Sequence, residues 1–127
     1  MSEFYNAKVI ASSRELTAKE QIRIKSQPTV KLDEVVGTDG TFFVTEMVTG
    51  YVLLGVHNEK AQGEKDYQTL LVEVEGGKYY STGSKAFIES FMEIFNELAG
   101  AEEFSLEVYR VESRNFKGKT FLKCIPV

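Results

Sequence analysis

One stretch of this chain has a sustained helical period, and it lies between residues 84 and 99. Apolar residues recur there every three or four positions, while glutamates occupy the opposite side. Ser84 can cap the start of the helix and Gly100 its end. The apolar positions are Phe87, Ile88, Phe91, Met92, Ile94, Phe95 and Leu98. A helix with such a stripe must bury it, so these phenylalanines are predicted to belong to a core and not to a ligand pocket.

The segments around this helix are rich in β-branched and aromatic residues, a pattern typical of strands. Strands are predicted at residues 7–11, 21–25, 42–56, 68–75, 78–81, 104–111 and 120–127. Val30 and Leu32 alternate in the same way. The spacing of Thr17 and Glu20 is that of a capping box and predicts a single helical turn.

Glycines mark the expected turns and bends. Gly76-Gly77 predicts a hairpin, residues 37–40 predict a tight turn, and the polar residues 112–119 predict a hairpin loop. Gly50 and Gly55 inside one strand predict bulges.

The element order around the helix is strand, strand, strand, helix, strand, strand. This order is that of the five-stranded oligonucleotide/oligosaccharide-binding (OB) barrel, with its helix between the third and fourth strands. We therefore expect a mainly β protein with one helix, folded as one OB-like domain over residues 1–127.

The composition predicts a cytoplasmic protein without a membrane segment. The apolar runs fall far short of the roughly 20 residues of a membrane span. The single cysteine, Cys124, lies in an apolar alternation and is predicted to be a buried structural thiol.

The residues for enzymatic chemistry are sparse. With one histidine, His57, and one cysteine, neither a zinc site nor a hydrolytic triad can be assembled. The glycine- and hydroxyl-bearing residues 76–84 lack the spacing of a P-loop. We expect a non-enzymatic protein without a cofactor or metal, and His57 at a loop edge.

Charge is distributed unevenly along the chain. Residues 1–31 carry six cations and three carboxylates. Residues 32–109 carry four cations and fifteen carboxylates, and residues 110–127 carry five cations and one carboxylate. Two basic ends therefore flank an acidic middle within a net charge of −4. In an OB barrel the first strand lies beside the fourth and fifth, so the basic ends are expected to meet in one groove.

Basic and aromatic residues are interleaved in the C-terminal segment, as single-strand binding requires. Taken alone, this segment slightly favours an ordinary solvated hairpin. With the N-terminal cations that the barrel would bring beside it, it predicts a nucleic-acid site. The predicted contacts are Arg14, Arg23, Lys25, Arg110, Arg114, Phe116, Lys117, Lys119 and Lys123, with Tyr109 and Phe121 in the same segment.

Residues 77–85 (GKYYSTGSK), the helix, and the closing segments FSLEVY and SRNFKGKTF carry a family resemblance. The chain from Thr45 onward resembles the small single-stranded DNA-binding proteins of phages, in particular those of protein-primed Bacillus phages. Tyrosines stack on bases in that family, which implies stacking roles for Tyr51 and Tyr80. Strand alternation would then make Tyr79 the buried partner of Tyr80.

The sequence thus predicts a phage- or plasmid-type protein that coats single-stranded DNA during replication, independently of base sequence. RNA binding and self-association stay open. The alternative is a non-enzymatic protein-interaction module, such as a phage accessory or host-takeover factor, that works through its acidic surface.

Overall fold

The computed structural model describes residues 7–36, 40–57, 66–98, 101–112 and 120–127, and it is mainly β. The helices are α1 (Ala18–Ser26), α2 (Leu32–Val36) and α3 (Lys85–Leu98). The strands are β1 (Ala7–Ser12), β2 (Val30–Lys31), β3 (Thr41–Val44), β4 (Val48–His57), β5 (Asp66–Val74), β6 (Lys78–Thr82), β7 (Leu106–Glu112) and β8 (Thr120–Pro126). None of the described helices is long and apolar enough to cross a membrane.

The strands form two sheets. The larger has the order β1-β4-β5-β6-β2, and the smaller has the order β3-β7-β8. Neighbours pair antiparallel except β2, which runs parallel to β6.

The five-stranded sheet is covered on both faces. On one face, Ile24 of α1 packs on a small apolar cluster that contains Val52 and Leu71. On the other, α3 and the three-stranded sheet enclose the larger core, in which Phe87 and Phe91 are fully buried. Both faces of the central strands are therefore apolar.

Helix α3 confirms the predicted amphipathic helix and connects the two sheets. Phe91 packs on Tyr51 of β4, with ring centroids 6.0 Å apart. Ser90 Oγ donates to the carbonyl of Cys124 in β8 at 2.9 Å. The N-cap prediction is confirmed as well, since the Phe87 amide donates to Ser84 Oγ. Gly100 lies outside the described residues.

The strand predicted at residues 21–25 is wrong, because these residues belong to α1. The predicted capping box is present: the Glu20 amide donates to Thr17 Oγ1 at 3.1 Å, and Thr17 N donates to Glu20 Oε1. It begins a helix of nine residues instead of one turn. Gln, Arg and Lys favour helix. The apolar alternation does not mark a strand face here, because Ile24 is buried while Ile22 is 64% exposed.

The strand predicted at residues 42–56 is broken into β3 and β4, because the chain passes there from one sheet to the other. At this break the Glu75 amide donates to the Met47 carbonyl, and the Val48 amide donates to the Phe104 carbonyl. Each sheet thus holds one half of the segment.

In the part of the chain that the structure describes, three helices and eight strands replace the expected single helix and five strands. Within the described residues the sheets do not close into a barrel. Strand β8 pairs with β7 in the smaller sheet, and the edge of β6 that could pair with it is covered by β2. Val30 forms part of β2, and Leu32 begins α2.

The glycine predictions at the hairpin and at Gly50 are confirmed. Gly76 and Gly77 have φ angles of 87° and 79° and lie in the three-residue turn 75–77 between the paired residues Val74 and Lys78. The register shifts between Val48 and Gly50, and a Cβ on Gly50 would lie 2.5 Å from Ser13 Oγ. At Gly55 the β4–β5 register is regular, and the nearby bulge lies in β1. The expected turn at residues 37–40 and the loop at 112–119 lie mostly outside the described residues.

Cys124 is buried as predicted, with 2% of its surface exposed. Burial raises the pKa of its thiol to about 11. We expect a thiol reagent at pH 8 to leave the native protein unmodified and to label it fully in denaturant, because the thiolate is the reactive form. Labelling can be followed by intact mass. Rapid stoichiometric labelling of the native protein would show that β8 is not packed as described.

Candidate nucleic-acid interface

The three-stranded sheet has one buried face and one open face. Leu106, Val108, Leu122 and Cys124 point into the core with at most 2% of their surfaces exposed. Alternate residues of the same strands point the other way. We call the surface they form the open face. It consists of Thr41, Phe43, Glu107, Tyr109, Val111, Phe121, Lys123 and Ile125.

Three aromatic side chains cross the open face on a diagonal, one from each strand. Tyr109 of the central strand pairs with Thr41 on β3 and with Lys123 on β8. Phe43 lies two positions from Thr41 and is paired with Glu107, and Phe121 lies two positions from Lys123 and is paired with Val111. The two rings are therefore displaced from Tyr109 toward opposite ends of β7. Diagonal neighbours in a sheet are about 7–8 Å apart, within reach of aromatic rings. Phe43, Tyr109 and Phe121 therefore form a row, which we call the aromatic diagonal.

The aromatic diagonal is accessible to solvent. Phe43 is 54% exposed, and Ile125 beyond it is 43% exposed. Tyr109 and Phe121 are partly exposed, and Lys123 is exposed beside Tyr109. Flat rings and a cation are thus presented together on one surface.

Arg110 does not belong to this surface. Its position in β7 has the parity of the core-facing residues, and its guanidinium donates to the Asp33 carbonyl at 2.7 Å and to Thr120 Oγ1 at 3.2 Å. Arg110 therefore ties α2 to the three-stranded sheet.

Tyr51, predicted to stack on bases, packs against α3. Its ring lies edge-on to Phe95 at 5.1 Å between centroids and to Phe91 at 6.0 Å. The resemblance aligns it with a stacking tyrosine, but in this fold the half-buried ring is part of the contact between helix and sheet.

Both Tyr79 and Tyr80 are buried, so the prediction that only one of them lies in the core is wrong. Tyr80 is 2% exposed and Tyr79 6%. They point to opposite faces of a sheet that is covered on both sides, which alternation alone does not predict. Tyr80 donates to Glu46 Oε1 at 3.0 Å, and Tyr79 to Glu73 Oε2 at 2.7 Å. Burial, with the Glu73 hydrogen bond, raises the pKa of Tyr79 to about 12.

The predicted N-terminal contacts lie on the other side of the larger sheet, around α1. Arg14 bonds Glu20 at 2.6 Å and Glu73 at 3.0 Å, and the hydrogen bond to Glu20 is the main reason that its pKa is raised. Lys25 Nζ donates to the Ala7 carbonyl at 3.2 Å, and Arg23 is exposed.

The expectation that the two basic ends meet on one surface is wrong for the described residues. Strand β1 pairs with β4, whereas β7 and β8 belong to the second sheet. Helix α1 and the second sheet therefore cover opposite faces of the larger sheet.

Four of the predicted contacts lie outside the described residues: Arg114, Phe116, Lys117 and Lys119. Glu112, the last residue of β7, pairs with Thr120, and Phe121 of the aromatic diagonal follows directly.

Histidine and carboxylates do not assemble a metal centre in the described ranges. His57 ends β4 at a loop edge, as expected, and its Nδ1 lies 2.7 Å from Asp66 Oδ1. The pair closes the end of the β4–β5 ladder.

Sequence reasoning missed Phe43, the most exposed ring of the aromatic diagonal. It follows Phe42, and in a short strand with two adjacent phenylalanines the pattern does not tell which one is buried. Tyr109 and Phe121 were noted, but their common face depends on the β7–β8 register.

Comparison of the chain with protein-family models, with curated proteins and with solved structures gives no match.

Proposed function

We propose that this protein binds single-stranded DNA independently of base sequence, with the open face as the principal contact, and coats such DNA during phage or plasmid replication. The observation that carries the proposal is the aromatic diagonal of Phe43, Tyr109 and Phe121 with Lys123 beside it. It has no role in the core, and its composition is that of a stacking platform.

Stacking on exposed rings explains why a single strand is favoured. A base in a single strand can lie flat on an aromatic side chain, for about 1–3 kcal/mol per base, whatever its identity. Bases in a duplex are already stacked on each other. The binding is therefore expected to be tolerant of sequence and selective for single strands.

The charge distribution supports the same choice. Arg114, Lys117 and Lys119 precede Phe121 in the sequence, and cations of this kind neutralise phosphates. Helix α3 instead exposes Glu93 and Glu97, which repel the dense charge of a duplex.

The proposal includes a divergent OB architecture. If β3 and β4 are counted as one bent strand, the order from β3 to β8 is strand, strand, strand, helix, strand, strand, as in the OB barrel. The bent strand pairs with β5 through one half and with β7 through the other. In this interpretation β1, α1, β2 and α2 are an N-terminal addition.

A titration with oligo-dT tests the proposed function. We expect the tyrosine fluorescence to change on binding and the affinity to fall steeply with added salt, because counterions are released from the phosphates. Oligo-dT and mixed sequences should bind alike, and duplex much more weakly. The same titration with RNA of equal length decides whether RNA is bound as well.

Two results of this titration would count against the proposed function. A flat salt response, or a preference for duplex, would rule it out. Capture of a host protein without affinity for any single strand would favour the protein-interaction alternative.

A further inference from the structure

A groove of about 640 Å³ lies outside the open face, between the first turns of α3 and the neighbouring ends of β1, β4 and β5. Gly55 of β4 lies in its floor, flanked in register by Lys8 of β1 and Gln68 of β5. Lys85 and Ile88 of α3 form part of the wall. We call it the Gly55 groove.

The missing side chain at Gly55 shapes the groove. A Cβ at this position would lie 3.2 Å from Ile10 Cγ2, so glycine allows Ile10 to lie over the strand. Ile10 is nevertheless 51% exposed. The floor of the groove therefore consists of the Gly55 backbone and the apolar side chain of Ile10. A glycine inside a strand often marks a site where a ligand approaches the backbone closely.

The charged groups around the Gly55 groove are suited to a phosphate chain. Lys8 and Lys85 line it from the sheet and from the helix. Of its carboxylates, Asp66 is held by His57 at 2.7 Å, and Glu89 is exposed on α3. Two cations, Lys8 and Lys85, therefore flank an apolar floor.

The Gly55 groove is connected to the open face. A second depression of about 570 Å³ is lined by Lys85, Arg110, Thr120 and Phe121. It shares Lys85 with the Gly55 groove and Phe121 with the aromatic diagonal. A strand leaving the diagonal at Phe121 thus meets Arg110 and Lys85 before it reaches Gly55.

We propose that the Gly55 groove binds a further nucleotide of the same DNA strand, with its base on Gly55 and Ile10 and its phosphates near Lys8 and Lys85. This inference depends on the proposed function and extends it. It defines a binding path around the end of the molecule that carries the start of α3, and it predicts that the occluded length exceeds what the open face alone covers.

Filling the floor tests this path without changing charge. Gly55→Val keeps a residue that strands favour and occupies the space of the base. Binding is measured with oligo-dT from about 4 to 16 nucleotides, the usual span for one such domain. We expect the affinity of the wild type to keep rising as the oligonucleotide becomes longer than the stretch that the open face can contact. The affinity of the variant for the longest oligonucleotide should be lower than that of the wild type by about fivefold or more. Its affinity for the shortest oligonucleotide should be unchanged.

Charge removal provides the second, independent variant. Lys8→Gln with Lys85→Gln should weaken binding of long oligomers only and reduce the salt slope by about 0.7 for each lost phosphate contact. Lys85→Arg should bind as the parent does. Lys19→Gln, an exposed lysine on α1, is the matched control and should have no effect.

The outcomes separate the inference from the proposed function. If the wild type binds single strands and neither variant alters long-oligomer binding, the Gly55 groove is not on the path and the open face stands. If Gly55→Val does not fold, the Lys8→Gln/Lys85→Gln variant determines whether the Gly55 groove is on the path. Absence of any single-strand binding by the wild type would reject both.

Discussion

Tyr80→Ala is expected to lower the free energy of unfolding by about 3–5 kcal/mol, a larger loss of stability than we expect from the other tyrosine variants. The ring is 2% exposed and packs 5.9 Å from the ring of Phe42, between the two sheets. Truncation leaves a cavity in the main core and removes the hydroxyl that donates to Glu46. Urea unfolding followed by circular dichroism measures the loss.

Two companion variants assign the cause. Tyr80→Phe removes only the hydrogen bond and should cost about 1 kcal/mol, since Glu46 still has Lys78 at 3.4 Å. Tyr67→Ala, a tyrosine 38% exposed in the same sheet, should change stability by about 0.5 kcal/mol. A Tyr80→Ala protein as stable as the parent but defective in binding would restore the stacking role that the resemblance implied.

Replacing Tyr109 and Phe121 together by valine is expected to produce the largest loss of single-strand binding. Each ring should contribute on the order of 1–3 kcal/mol of binding free energy if a base stacks on it. Valine keeps the β-propensity of the strand and removes the flat surface. The double variant should therefore fold with a similar melting temperature while its affinity for oligo-dT falls at least tenfold.

Ring-preserving variants provide the control for this experiment. Tyr109→Phe and Phe121→Tyr retain a flat face and should bind nearly as the parent does. Ile22→Ala removes an apolar side chain that is 64% exposed on α1, on the far side of the larger sheet, and should be neutral. If the valine variant binds oligo-dT as tightly as the parent, the aromatic diagonal is not the interface.

The features that the sequence predicts well depend on neighbours within a few residues. The stripe of Phe87, Ile88 and Phe91 specifies α3, because a helix places all three on one side, whereas a strand would put Ile88 on the face opposite the two phenylalanines. Gly76 and Gly77 adopt positive φ, which glycine does without strain. The same local logic identified the capping box at Thr17.

The predictions that failed depend on distant contacts. Ile22 and Ile24 satisfy a strand period, but in the helix they point to different sides, and only Ile24 packs against the larger sheet. Residues 42–56 have the pattern of one strand, yet β3 pairs with β7 while β4 pairs with β5. The sheet that each half joins is determined by partners up to 68 residues away, as for Thr41 and Tyr109.

The candidate site shows the same division. By itself, the sequence determined that this is a mainly β chain with a helix at residues 85–98, a buried cysteine and a basic, aromatic C-terminal segment. Whether a tyrosine is covered or open was decided only by tertiary structure. Tyr80 and Tyr109 both lie in strands, but the sheet of Tyr80 is covered on both faces and the sheet of Tyr109 on one. Alternation assigns side chains to faces, and only the packing of the sheets determines which face meets water.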